Sequence, residues 1–493
     1  MTVPIVGMIL FPLCLLLWAR PFLMLQILLL VGILPAAAVL ILGGLGVQPT
    51  MVPALAFMSF VLLQWVLGVR YPGDRPVMAL CFPFIMVVTW TLLASFIMPR
   101  LFMNEVMVWP QKTDAVGGRV LLGPSFGNIS QDMYLIINAV FLVMAARFLT
   151  RSDIRIERLY STFLLSGWCV VAICVWQFGH RVAGVPFAEK FFYSNPGWAV
   201  LDTQVAGPVP RINASFSEPA ACASFLSEIL FSSVWIVLQG YSVMWARWLI
   251  PASALALACT TSTTGFITVG AEICLLPVAA IATGAHRVLG NITRLMLVGA
   301  AISGCGILVL VTVAPQVVPA AKFVFQSTTE KKDSQSYQDR TQVDHDSMSL
   351  VGETYGLGVG WGSNRASSLM PGLLSTIGLV GVLGLLVFDW KLLRAAMRAR
   401  ASIPPGPERM VIEGVIPAIV GRLIAACLSS PTVGFLDFYL LIAMLIAAIA
   451  RVSLQRATVA PQPQLMPPDM PVAAAEHYAM AEPDAYMRRE GVP

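Results

Sequence analysis

Two arginines in separate polar segments carry the strongest chemical signal in this chain. Arg211 opens the segment Arg211-Ile-Asn-Ala-Ser-Phe-Ser-Glu-Pro219, which leads directly into a long apolar run. Arg340 closes Ser336-Tyr-Gln-Asp-Arg340, inside the stretch Glu330 to Asp346. That stretch concentrates Glu330, Lys331, Lys332, Asp333, Asp339, Arg340, Asp344 and Asp346 in a chain with only 12% charged residues. Guanidinium forks match phosphate oxygens and stay charged at any working pH. Two forks folded over a common cleft could hold a pyrophosphate without a metal ion.

Other groups nearby offer acid–base chemistry. Ser217, Glu218 and Pro219 form a helix start: a capping side chain, an acid near the positive dipole end, and proline in the first turn. The cluster reads equally as a well-capped helix with one interfacial arginine, or as an anion-binding corner completed by Arg211. His345 lies between Asp344 and Asp346, and an imidazole flanked by carboxylates is a candidate general base near neutral pH. Asp344, Glu218 and Glu353 are alternatives for that role. Asp344-His345-Asp346 also fits the DxD pattern with which some glycosyltransferases hold a metal and a nucleotide sugar. Downstream, Gly356, Gly358, Gly360 and Gly362 recur at two-residue spacing. This ladder matches neither common phosphate-loop fingerprint. It allows close backbone approach, or a pliable lead into the next helix.

The elements that position these groups are membrane spans. The chain has 493 residues, 57% of them hydrophobic, and a mean hydropathy of +0.79. Apolar runs of about 20 residues are long enough to cross roughly 30 Å of hydrocarbon. Backbone groups in lipid must be satisfied internally, and no alternating barrel pattern is present, so the spans are helices. The expected fold is an all-α polytopic membrane protein with about 12–13 spans: 4–18, 22–46, 51–69, 76–98, 133–149, 159–180, 220–238, 242–260, 264–283, 289–316, 370–389, 411–429 and 432–450. Pro4–Trp18 lacks a basic leader and a cleavage site and is expected to be a retained span. Residues 1–456 form the multi-span domain, and 457–493, rich in Pro and Ala, a disordered tail.

Arginine-rich loops around Arg70, Arg151, Arg247, Arg287 and Arg398 alternate onto one side, which the positive-inside rule makes cytoplasmic together with the C-terminus. The other side receives three long loops, 98–132, 181–219 and 320–369, the largest lying between the spans near 289–316 and 370–389. Arg211 and Arg340 therefore face away from cytoplasmic nucleotides, which argues against the DxD reading. All nine cysteines fall in apolar runs with no CxxC pair and read as buried hydrophobes. The net charge of +5 comes with no basic patch interleaved with aromatics, so nucleic acid is not an expected partner.

Within the spans, Glu228, Glu272, Arg422 and Asp437 are charged. Counted from the turn at Ser430–Pro431, Arg422 and Asp437 lie at similar depth, about 10 Å in, and could pair across a helical hairpin. A transporter or lipid flippase with these four lining its path is the main rival reading, although no internal repeat of the kind common in transporters is visible.

Two blocks resemble the O-antigen polymerase/ligase superfamily of membrane glycosyltransferases. One is Arg211–Pro219 followed by a helix, similar to that family's Arg–small–Phe–x–(acid or Asn)–Pro element. The other is Tyr337–Arg340, then Gly356-Leu-Gly-Val-Gly-Trp-Gly-Ser-Asn-Arg365 and Leu373–Gly381, similar to its Arg…Gly-x-Gly-x-Gly-Ser…Gly-x-x-Gly element. The blocks cover about a sixth of the chain. The resemblance implies a polymerase of undecaprenyl-pyrophosphate-linked repeat units, building exopolysaccharide or O-antigen at the outer face of a bacterial inner membrane. Arg211 and Arg340 would engage the pyrophosphate, with Glu218, His345 or Asp344 as the base. Tyr337, Gly358, Gly360, Ser363 and Arg365 would line the substrate. Neither cofactor nor metal is implied; the partners are the lipid-linked oligosaccharide, the bilayer and a chain-length regulator. A ligase acting on lipid A core is the alternative within the family, and the residues around His345 do not clearly reproduce its pattern.

Overall fold

The computed structural model describes residues 1–111, 118–200, 205–206, 209–284, 288–294, 335–429 and 433–459. Its first half holds helices α1 (Ile5–Leu16), α2 (Pro21–Val31), α3 (Met51–Val66), α4 (Asp74–Leu101), α5 (Phe126–Phe148), α6 (Ile156–Ala183) and the short α7 (Glu189–Phe192). Then follow α8 (Pro219–Leu238), α9 (Ala246–Thr260), α10 (Thr263–Ala282), α11 (Gln335–Glu353), α12 (Leu369–Ala401), α13 (Pro407–Leu428) and α14 (Leu436–Val459). Helices α4, α5, α6, α8, α10, α12, α13 and α14 are long and apolar enough to cross a membrane; α1, α2, α3 and α9 are apolar but shorter. Among the described residues, β-structure comprises three two-stranded ribbons, the last two lying between α4 and α5 and between α7 and α8, and a single bridge from Thr2 to Ile41. The chain is an all-α multi-pass membrane protein.

The expected span 22–46 is not one helix. Helix α2 stops at Val31, and at 1.5 Å per residue its 11 residues rise about 16 Å, half a bilayer. Pro35 follows, and a residue before proline is steered away from the helical region. The chain then turns back at Gly43–Gly44, both at positive φ, pairing Leu40–Leu42 with Leu45–Val47. Hydropathy alone does not register such turn chemistry. Of the expected span 289–316, residues 289–294 are helical and the remainder lies outside the described residues. The charged loop 320–369 contains a 19-residue helix, α11; residues 320–334 and the tail 460–493 also lie outside the described residues.

Helix α8 is the axis of the bundle: 94% of its spanning window is buried, against 28% for α10 at the periphery. It packs against α6, α9, α10 and α13. Small residues allow the close approach. Gly414 of α13 faces Tyr160, whose hydroxyl bonds Ser232 of α8 at 2.8 Å, and Ser232 in turn donates to the Gly414 carbonyl at 2.7 Å. In lipid, such packing and interhelical hydrogen bonding substitute for the missing hydrophobic drive between helices. Helices α4, α6, α9 and α13 end, and α5, α8, α10, α12 and α14 begin, at one common end of the bundle. The arginines of 147–158 and 394–409 follow or precede these helices at the other.

Candidate functional site

At that common end, the segment 211–219 is fastened before it enters α8. Ile212 donates its N–H to the Cys259 carbonyl at 3.2 Å, and Arg211 Nε reaches the Thr260 carbonyl at 3.5 Å, both at the close of α9. Gln177 of α6 accepts the N–H groups of Asn213 and Ala214 at 3.0 and 2.8 Å and donates to the Asn213 side chain at 2.8 Å. Tyr193 caps the carbonyl of Ala214, a residue at φ +50. Asn213 is fully buried. Pro219 opens α8 as the sequence predicts, but Glu218, not Ser217, is its N-cap, and no side chain caps the helix.

The Glu218 carboxylate turns to Arg340. Arg340 Nη2 donates to Glu218 Oε2 at 3.0 Å, and Nη1 donates to the Ser429 hydroxyl at the end of α13. Arg211 belongs to the same electrostatic unit. Burial pushes its pKa below the ordinary value, repulsion from Arg340 adds to this, and Glu218 partly offsets both. Two distant segments, 211–219 and α11, thus bring two guanidiniums and one carboxylate together. Ser429, Gln177 and Tyr193 complete the arrangement and escaped the sequence reading. For Gln177, the visible signal was a lone amide inside an otherwise apolar span.

Helix α11 sends its other polar groups elsewhere. Asp344, one turn beyond Arg340, accepts the N–H groups of Ser367 and Ser368 at 2.7 and 3.1 Å and the Ser368 hydroxyl at 2.7 Å. Ser368 is the N-cap of α12, so Asp344 is committed to pinning that helix start. Asp346 accepts from Trp109 Nε1 at 3.1 Å and Gln342 at 2.8 Å and pairs with Arg119 at 3.8 Å. The two carboxylates of the DxD pattern are therefore engaged separately. His345 is exposed over 79% of its side chain, its nearest ionic neighbour being Asp346 at 3.9 Å. On the helix it points some 140° away from Arg340 at 100° per residue. Tyr337, three residues before Arg340, shares the arginine's face and is 40% exposed.

The glycine ladder is a docking seam. Gly378 interrupts α12 with φ +67 and ψ −172, freeing carbonyls that a continuous helix would satisfy. Val359 and Gly360 donate to the carbonyls of Ser375 and Thr376 at 2.8 and 3.0 Å, and Trp90 Nε1 donates to that of Ile377 at 2.9 Å. Within lipid, irregular backbone survives only where protein satisfies it in this way. All four ladder glycines have positive φ. A Cβ on Gly358 would lie 2.6 Å from the Thr376 carbonyl oxygen, and one on Gly360 2.9 Å from that of Ala94. Ser363 is buried and accepts from Asn128 at 2.7 Å; Arg365 donates its N–H to the Trp109 carbonyl while its side chain is exposed. Gly358, Gly360 and Ser363 thus contact protein, whereas Tyr337 and Arg365 face solvent.

Among the described residues no three His, Cys, Asp or Glu side chains are placed to hold a metal ion. Compared with protein-family models and with curated proteins, the chain matches none of them.

Proposed function

We propose that this protein polymerises polyprenyl-pyrophosphate-linked oligosaccharide repeat units at a membrane surface. The observation that carries the reading is the convergence of Arg211, Arg340 and Glu218 at one end of the bundle. The arginine-rich loops at the opposite end support placing this face outside the cytoplasm.

In the proposed reaction, a hydroxyl oxygen of one repeat attacks the anomeric carbon of another. The bond from that carbon to the pyrophosphate oxygen breaks, and the pyrophosphate leaves with the electron pair, inverting the configuration. The leaving group is already good, so positioning and positive charge where negative charge develops are the main requirements. A pyrophosphate arriving at Arg340 takes the fork now occupied by Glu218. The displaced carboxylate then accepts the hydroxyl proton. Binding and base activation become one event, and Arg211 supplies the second cation. Among the expected bases, Glu218 is favoured because Asp344 is engaged in a helix start and His345 faces away.

The test is the lipid-linked material in a host lacking the chain, complemented with wild type, Arg211→Ala or Arg340→Ala at equal membrane abundance. Single lipid-linked repeats should accumulate with both variants. Normal polymer in both would sink the reading. Full-length lipid-linked polymer would indicate a ligase, and unchanged glycolipid with altered solute uptake a transporter.

A further inference from the structure

Below the site, inside the bundle, lies an ionisable cluster that glycosyl transfer does not use. Arg422 of α13 donates Nε to Glu228 of α8 at 2.7 Å and Nη2 to Asp437 of α14 at 2.6 Å. Glu272 of α10 joins from the fourth side. A Cβ at position 421 would lie 2.7 Å from Glu272 Oε1 and 3.3 Å from Glu228 Cα, so only glycine there leaves room for the carboxyl group. All four side chains are buried: Glu228 at 0%, Glu272 at 2%, Arg422 at 3% and Asp437 at 7% exposure.

Glu228 and Asp437 share one guanidinium and Glu272 lies beside Glu228 with none of its own, so the fully ionised cluster carries two uncompensated negative charges away from water. Buried charge of that kind is not sustained without a partner. Two further observations point the same way. Glu228 Oε1 and Glu272 Oε1 are both buried with no hydrogen-bond partner among the described residues. Arg422 Nη1 is buried without a partner as well and donates to neither oxygen, whereas an added proton converts a carboxylate oxygen itself into a donor.

We propose that Glu272 is an exchangeable proton-binding site. The proton adds to its carboxylate oxygen, no other bond changes, and the resulting carboxylic acid no longer repels Glu228. The cluster's charge falls from minus two to minus one. Of the two helices packed on α10, α8 sets Glu228 against Glu272 and α13 presents Gly421 to it, while Arg422 and Asp437 act through their ion pairs with Glu228. Glu413, Arg400 and Arg409 form a separate group more than two turns farther along α13. Proton loss sets Glu272 against Glu228 at the α8–α10 contact, and α8 is the helix that begins at Glu218. The proton thus latches the axis helix beneath the site. This inference stands whether or not the site polymerises glycan.

Glu272→Gln mimics the protonated acid. In the full-length protein in lipid nanodiscs, wild type should show the infrared carbonyl band of a protonated carboxylic acid at neutral pH. That band should vanish in Glu272→Gln and, in wild type, at alkaline pH. The melting temperature of Glu272→Gln should equal that of wild type at neutral pH and exceed it at alkaline pH. No such band, a band that survives in Glu272→Gln, a variant that is unstable at neutral pH, or parallel melting profiles would each overturn the proposal.

Discussion

Arg340 and Glu218 meet at 3.0 Å although 122 positions separate them. Each comes from a different helix: one from α11, the other from the cap of α8. Their side chains remain 38% and 30% exposed, so the contact faces a space that a ligand can enter. An ion pair this accessible adds only about 0–1 kcal/mol to stability. Its larger consequence is that each partner holds the other in readiness.

From this follows a separation of stability and activity. Glu218→Gln and Arg340→Ala should each leave the detergent melting temperature nearly unchanged. Turnover of lipid-linked repeats by Arg340→Ala should fall about 10²–10³-fold, the usual loss when one preorganised donor to developing charge is removed. Arg340→Lys keeps the charge but loses the fork, so intermediate activity is expected. A double variant lacking both partners that recovers turnover would show that the pair acts only as a structural tie.

Asp344 and His345, adjacent in sequence, should behave oppositely. Asp344→Ala removes three accepted hydrogen bonds at the start of α12 and should cost about 1 kcal/mol, as lost caps commonly do. His345→Ala should leave both melting and turnover unchanged, because the ring is exposed and turned from Arg340. A general base contributes about 10²–10⁴-fold, so a loss of that size in His345→Ala would return the role to histidine.

What the sequence made legible was polarity and which segments share an end of the bundle. Arginine-rich loops alternating with long polar loops were enough to place Arg211 and Arg340 at the same end of the bundle. Equal depth below a tight turn was enough to anticipate that Arg422 would pair with Asp437. Glu228 as its second partner was not accessible, because hydropathy does not say which helices are neighbours. Residues 335–353 read as loop since their apolar positions are few and their charges many, yet Val343 and Leu350 bury one side of a helix. The ladder's purpose was hidden for a related reason: its partners are the carbonyls of a broken helix, and backbone leaves no compositional trace.

The ladder gives a graded prediction. Gly358→Ala places a methyl 2.6 Å from the Thr376 carbonyl oxygen at φ +80, whereas Gly43→Ala, at φ +54, meets nothing within 4 Å. The left-handed conformation alone costs a non-glycine residue about 1–2 kcal/mol. Gly43→Ala should show that amount, and Gly358→Ala clearly more, in parallel denaturation of the two variants. Equal losses would mean that the seam between the ladder and α12 yields freely.

The largest effect is expected at Arg422. It pairs with Glu228 and Asp437, and its removal leaves these carboxylates in a low-dielectric interior with no counter-charge. Breaking a buried pair from one side costs about 3–5 kcal/mol, because the remaining charge is stranded. Arg422→Ala should therefore unfold at markedly lower denaturant or fail to accumulate in the membrane. Adding Glu228→Gln and Asp437→Asn to that variant removes the stranded charges and should recover most of the loss, although two ion pairs have been deleted. Recovery would show that the arginine is retained to neutralise acids already present, not for the strength of its own bonds. If the triple variant is no better than Arg422→Ala, the cluster's contribution lies in its geometry, and Arg422 acts chiefly by joining α8, α13 and α14.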